Sequence, residues 1–193
     1  MTLNSPLINE MIKGSYGNNE NNEVNLITIK EKTNIHIFQI AQYKNSSFDL
    51  DKLKIDHLEF PKNTLEVKNN NNIRILWVGP KNWLLIFKSK DLISKLDEID
   101  KNNFAVTDLS HSRAIIELSG KNSKEVLKKG CPFNFNELKK NSCVNSIFNG
   151  IAVTIDMRDD NPDSLDLYVL RSFGQSFFHS ISDACLEFGY KID

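Results

Sequence analysis

Acid, hydroxyl and imidazole crowd together once in this chain, at Asp108-Leu109-Ser110-His111. A nucleophile and its base must converge in space, whereas successive side chains on a strand point to opposite faces. The run therefore reads as turn and strand-end hydrogen bonding. The four histidines, His36, His57, His111 and His179, are scattered without HxH, HExxH or Cys/His spacing, so no metal ligand is assigned. Cys131, Cys143 and Cys185 are odd in number and form no CxxC pair, which argues against a disulfide framework or a zinc site and for a reduced, cytoplasmic compartment. Cys131 would need a lowered thiol pKa to react, and Lys128 and Lys129 are placed to help; a packed loop cysteine is the default. Glycine-rich nucleotide fingerprints, P-loops and nucleophile elbows are missing. No catalytic, cofactor-binding or metal residue is assigned on these grounds.

The remaining candidates suit contact with another chain. Arg171 follows a buried-looking strand, and its planar donors suit a partner's carboxylate or backbone carbonyls as well as an internal brace. Arg113 opens the middle strand with the same ambiguity. Phe173, Phe177 and Phe178 cannot share one helical stripe, because position 178 lies about 100° round from 177. Arg171, Phe173, Phe178 and Arg113 are accordingly the candidate interface residues. Trp77 and Trp83, around Gly79-Pro80, read as core anchors before interface anchors.

These residues must be positioned by a mixed set of elements. Val24–Ile29 and Ile35–Gln42 read as strands and Phe48–Leu58 as a short helix. Ile73–Val78 and Trp83–Phe87 form a hairpin across Gly79-Pro80-Lys81-Asn82. Leu92, Ile93, Leu96 and Ile99 give Asp91–Ile99 a helical stripe, and Phe104–Leu109 returns as a strand. From Ile35 the order is β-α-β-β-α-β, a split-βαβ, ferredoxin-like lobe. The second half repeats much of it. Arg113–Leu118 is a strand; Asn122 and Glu125 make a capping box for the next helix, which Gly130 closes as a left-handed residue. Cys143–Phe148 and Ile151–Met157 pair across Asn149-Gly150. Leu165–Leu170 is the last strand, and Ser172 with Gln175 caps a final helix with Phe173, Phe177, Ile181, Ala184, Cys185 and Phe188 inward and Gly189 as its stop. The fold class expected is α+β, two related lobes of about 24–109 and 110–193 within a single domain of 24–193, preceded by a flexible segment, 1–23. The asparagine-rich patches at Gly14–Asn25 and Asn69–Asn72 read as exposed connections.

A net charge of −1 over 193 residues gives no electrostatic footprint for nucleic acid or an anionic membrane. No apolar run approaches the ~18 residues of a bilayer span, and no signal-peptide pattern opens the chain.

Three stretches carry a family likeness: Ala105–Phe135 (AVTDLSHSRAIIELSGKNSKEVLKKGCPFNF), Leu165–Phe173 (LDLYVLRSF) and Leu76–Phe87 (LWVGPKNWLLIF). Together they resemble the gamma subunit of heterotetrameric sarcosine oxidase, a relative of the folate-binding aminomethyltransferase (glycine-cleavage T-protein) fold, over about Ile73 to Tyr190. T-proteins carry a pair of aspartates just after a Gly-Gly hairpin, one of them catalytic. Placing Asn149-Gly150 on that hairpin puts Val153 and Thr154 there, and neither can serve as acid or base. Asp156 becomes the substitute if the register is offset by two, which keeps the same face. Lys129-Gly130-Cys131 is similar to a motif of folate-dependent iron–sulfur-repair relatives, but Pro132-Phe133 departs from it. The resemblance implies a non-catalytic subunit bracing a complex that oxidatively demethylates sarcosine and passes the one-carbon unit to tetrahydrofolate. It implies alpha, beta and delta subunits as partners, most directly the large alpha subunit, with FAD, FMN, NAD, zinc and tetrahydrofolate held by them. The alternative is a stand-alone folate-binding protein or C1 transferase of the T-protein class.

Overall fold

The computed structural model describes residues 5–18 and 26–193. In chain order the elements are β1 (Gly14–Tyr16), β2 (Ile27–Glu31), β3 (His36–Gln42), β4 (Lys54–Ile55), β5 (Leu58–Glu59), β6 (Val67–Asn69), β7 (Ile73–Gly79), β8 (Asn82–Phe87), α1 (Asp91–Asp97), β9 (Phe104–Asp108), β10 (Arg113–Ser119), α2 (Ser123–Lys128), β11 (Ser142–Phe148), β12 (Ile151–Asp160), β13 (Asp163–Leu170), α3 (Gly174–Cys185) and β14 (Tyr190–Ile192). They fall into two compact units. One comprises Asn34–His111 with Asn141–Cys143; the other comprises the described residues of Met1–Thr33, Ser112–Lys140 and Val144–Asp193.

The Asn34–His111 unit is built on a sheet of order β6-β7-β8-β3-β9. Alternation sets its core: Phe38 and Ile40, Ile73 and Ile75, and Trp83, Leu85 and Phe87 face the same way and meet Leu92, Leu96 and Ile99. Trp83 is 1% exposed, and its indole N–H donates to the Pro61 carbonyl at 2.7 Å, so it anchors the core as expected. The β7–β8 turn forms where Pro80 was read, with Lys81 at φ 58.

The helix expected over Phe48–Leu58 is not formed. Asp49 accepts the Asp51 amide at 3.0 Å and stops the chain in a single 3-10 turn, Leu50–Lys52. Leu53 and Ile55 then alternate into the core, and Asp56 and His57, at φ 49 and 66, turn β4 back onto β5. The unit thus lacks the first helix of a β-α-β-β-α-β lobe, and the ferredoxin-like reading does not hold for it. The Asn-rich connection is also more than a spacer. Asn70 Oδ1 accepts the amides of Asn72 and Ile73, while the Asn70 and Asn72 side-chain amides donate to the Asp56 carboxylate at 2.9 and 3.0 Å.

The other unit carries a sheet of order β1-β14-β2-β10-β13-β12-β11, in which β14 and β2 run parallel. Ala114, Ile116 and Leu118, Leu165, Leu167 and Val169, and Val153, Ile155 and Met157 form its core face, covered by Val126 and Leu127 of α2 and by Phe177, Phe178, Ile181 and Cys185 of α3. Asn149 and Gly150 sit at φ 47 and 86 as a hairpin turn requires, and Gly189 at φ 73 ends the stretch after α3.

Several expectations change here. The first strand belongs to this sheet, paired with β10, so the lobes do not divide as 24–109 and 110–193. Its described part is Ile27–Glu31, and Val24 and Asn25 lie outside the described residues. A further strand, β14, follows α3 because Tyr190 and Ile192 alternate into the core. Of the segment expected to be flexible, 1–4 and 19–23 lie outside the described residues, while 5–18 is docked: Leu7 is fully buried and β1 pairs with β14. Neither capping box forms. Asn122 makes no side-chain cap, Glu125 pairs with Lys128 instead, and a 3-10 turn over Arg171–Phe173 displaces Ser172 from the start of α3. Gly130 is not left-handed. A β-carbon there would meet the Phe148 ring and Asn149 Oδ1 at 2.8 Å, so the position is small for lack of room.

Candidate functional site

The chain leaves β13 at Leu170 and turns through Arg171–Phe173 into α3. The Arg171 amide donates to the Ser112 carbonyl at 2.9 Å, pinning this turn to the entry of β10, where Arg113 stands opposite Leu170. Pro6, Ser112, Leu170, Arg171, Ser172 and Gln175 line an open groove of about 610 Å³. Arg113 is half-buried beside it, and its Nη1 donates to the Ser112 hydroxyl at 3.0 Å and, more weakly, to the carbonyl at 3.4 Å. Withdrawal from water pushes the Arg113 pKa down. Leu170 and Phe173 remain 43% and 48% exposed, large apolar surface on either side of Arg171.

Three of the four candidate interface residues, Arg171, Phe173 and Arg113, thus lie on or beside one surface. Phe178 does not join them. It is 5% exposed and packed in the core under α3, because a helix that begins at Gly174 turns both 177 and 178 toward the sheet. Phe173 sits in the turn before the helix, which removes it from the inward stripe where it was also expected.

Past the Asn149-Gly150 turn, Val153 is 3% exposed in the core and Thr154 donates its hydroxyl to Asn145 Oδ1 at 2.7 Å. Asp156 shares the face of Thr154 but is fully buried. It stands opposite Asp166, which in turn stands opposite Glu117, so three carboxylates cross β12, β13 and β10 in one row. Lys32 holds Asp166 at 2.5 Å and Glu117 at 2.8 Å, and Arg158 lies 3.8 Å from Asp156 and 3.7 Å from Asp166. Burial pushes Asp166 above the ordinary carboxylate range, against the opposing pull of Lys32. Sequence reasoning passed over this network, although an acid inside the apolar run Leu165-Asp-Leu-Tyr-Val was its signal. A row of carboxylates buried at Asp156 and Asp166, part-exposed at Glu117 and braced by cations is organised to hold strands together.

Asp108, Ser110 and His111 behave as a strand end. Ser110 donates its amide and hydroxyl to Asp108 Oδ1 at 2.8 and 2.6 Å and accepts the Ile37 amide at 3.0 Å, and His111 stands exposed. The three cysteines are buried. Desolvation drives the Cys131 and Cys185 thiols up to about 11 and 12, the reverse of what a nucleophile needs. Among the described residues no three His, Cys, Asp or Glu side chains group to hold a metal ion, and no helix is long and apolar enough to cross a membrane.

Over residues 52–187 the chain matches the model of the sarcosine oxidase, gamma subunit family. No match was found among curated proteins. Among solved structures it is similar to a chain of the heterotetrameric sarcosine oxidase from Corynebacterium sp. U-96 in complex with pyrrole 2-carboxylate, with a TM-score of 0.72 and 22% identity over 84% of this chain and 85% of that one. It is also similar to glycine cleavage system aminomethyltransferase T from Bartonella henselae, with a TM-score of 0.59 and 11% identity over 88% of this chain but only 47% of that one. At these identities the likeness to both is one of fold.

Proposed function

Because this chain belongs to the sarcosine oxidase gamma subunit family, we propose that it is a non-catalytic subunit of a heterotetrameric sarcosine oxidase, bracing its partners while they convert sarcosine to glycine and pass the one-carbon unit to tetrahydrofolate. The family match over residues 52–187 carries this reading. Its partners are then alpha, beta and delta subunits, most directly the large alpha subunit, and FAD, FMN, NAD, zinc and tetrahydrofolate belong to those chains. Val153 and Thr154 at the carboxylate positions, a buried Asp156 and thiols pushed away from ionisation support a chain that does no chemistry itself. Three buried thiols suit a reducing cytoplasm. The alternative, a stand-alone folate-binding protein or C1 transferase, is not favoured.

Coexpression with the other subunits of its own complex tests the proposal. The chain should copurify with them in fixed proportion. Purified alone, it should be colourless and should not oxidise sarcosine. A chain that carries flavin stoichiometrically, or that never associates with the other subunits, would overturn the reading.

A further inference from the structure

Arg113 is a half-buried cation without a counter-charge among the described residues. Its guanidinium donates only to neutral oxygens of Ser112, at 3.0 and 3.4 Å, and among the described residues no carboxylate forms an ion pair with it. Lys32 in the same unit shows the contrast, since two carboxylates hold it within 2.8 Å. Taking a guanidinium half out of water without a counter-charge costs free energy, which a docked anion would return. The lowered pKa of Arg113 has desolvation as its cause and no offset from an acid.

The surroundings say what kind of anion. Ser112 links Arg113 to the groove, because it accepts the Arg113 side chain and the Arg171 amide while forming part of the groove wall. Arg171, Ser172 and Gln175 add polar side chains to that wall, and Leu170 and Phe173 flank it with exposed apolar surface. Guanidinium groups recognise carboxylates by paired, directional donors. A small-molecule site encloses its ligand, whereas this groove is open and bordered by large apolar side chains, the composition of a protein interface around a charged anchor.

Resting on the gamma-subunit reading above, we infer that this groove receives an acidic segment of a partner subunit, with an aspartate or glutamate side chain engaged by Arg113 and Arg171 and apolar neighbours covering Leu170 and Phe173. The carboxylate gives this chain its orientation, and the apolar rim excludes water from the ion pair.

The test compares wild type, Arg113→Gln, Arg113→Lys and Arg171→Gln, each coexpressed with the remaining subunits. Association is measured over a series of salt concentrations, and the melting of each free chain is recorded alongside. Each glutamine variant should lose about tenfold or more in association affinity and show a weaker salt dependence than wild type. The lysine variant should recover only part of the affinity, because an ammonium does not reproduce the planar fork. Hydrogen exchange on the wild-type chain should show amides of 112–113 and 170–175 protected on assembly, a readout that does not depend on any variant folding. If the wild type fails to assemble, the gamma-subunit reading itself falls. If it assembles, but the glutamine variants match its affinity and salt dependence or the 112–113 and 170–175 amides gain no protection, the docking site is wrong. Protection of those amides by glutarate in the free chain, with none on assembly, would make the groove a small-anion site and overturn the inference as well.

Discussion

The Lys95 ammonium lies 2.7 Å from Asp56 Oδ1, joining α1 to the turn between β4 and β5. The same carboxylate receives the side-chain amides of Asn70 and Asn72, so three segments of the unit meet on one anion. The Lys95 hydrogen bond, followed by those of Asn72 and Asn70, holds Asp56 well below the usual carboxylate range. A depressed folded-state pKa contributes stability that is fully present above the unfolded value, about 3.9, and is lost as pH falls below it. Asp56→Asn should therefore lower the melting temperature at pH 7 and flatten its dependence on pH below about 4. Melting curves across that range decide it; parallel wild-type and mutant profiles would assign Asp56 no such role.

Lys32 compensates the Glu117 and Asp166 part of the carboxylate row, with Arg158 beside Asp156 and Asp166. Replacing Lys32 with methionine leaves Asp166, 3% exposed, beside two other carboxylates, and should cost about 2–4 kcal/mol at pH 7. Asp166 is already raised by burial, so the folded state holds its proton more tightly than the unfolded state does. Stability therefore falls as pH rises from the unfolded pKa through the raised one, and the penalty in Lys32→Met should shrink on acidification. Urea unfolding at pH 5 and pH 7.5 reads this directly, and an equal loss at both would contradict it.

Gly130 lacks space. Alanine there would drive its β-carbon to 2.8 Å from the Phe148 ring, so Gly130→Ala should cost about 1–3 kcal/mol through overpacking, and Phe148→Leu should recover part of the loss. Gly150 has open space but sits at φ 86, so its alanine variant should pay for backbone alone, about 1–2 kcal/mol. Urea midpoints of Gly130→Ala, Phe148→Leu, their double variant and Gly150→Ala separate the two causes: a Gly130→Ala variant unimproved by Phe148→Leu would rule out the clash.

Cys131 and Cys185, pushed up to about 11 and 12 and buried, should resist thiol reagents at pH 8 in the folded chain and react at once in denaturant. Rapid labelling of either in the native protein would show that the loop or the helix opens.

Legibility followed range. Turns set by neighbouring residues, Pro80-Lys81 and Asn149-Gly150, formed where the sequence placed them, because their chemistry is local. The Phe48–Leu58 stretch misled because Leu50 with Leu53 and Ile55 with Leu58 keep a helical i, i+3 spacing while Leu53 and Ile55 alternate as in a strand, and only Asp49 and the left-handed Asp56-His57 pair decide between them. The capping pairs Asn122/Glu125 and Ser172/Gln175 had the right spacing and the wrong neighbours: Lys128 claims Glu125, and the pinning of Arg171 to Ser112 winds the chain early. The sheet membership of β2 rests on β10 and β14, and the existence of β14 on β1 and β2, partners far along the chain that no local pattern encodes. Arg113 and Arg171 were found by residue type; that Ser112 ties both of them together was visible only in space.

The parallel pairing of β2 with β14 has a consequence for biosynthesis. Ile27–Glu31 leaves the ribosome before either of its partner strands, and one of its edges finds a partner only when Tyr190–Ile192 emerges. The Asn34–His111 unit, nearly contiguous in sequence, is available to fold long before that. During translation the early strand must therefore wait with an unpaired edge, the condition under which nascent chains attract chaperones or one another. A tag or truncation that disturbs the last three strand residues should accordingly show first as lower yield of soluble chain, before any defect in the protein that survives.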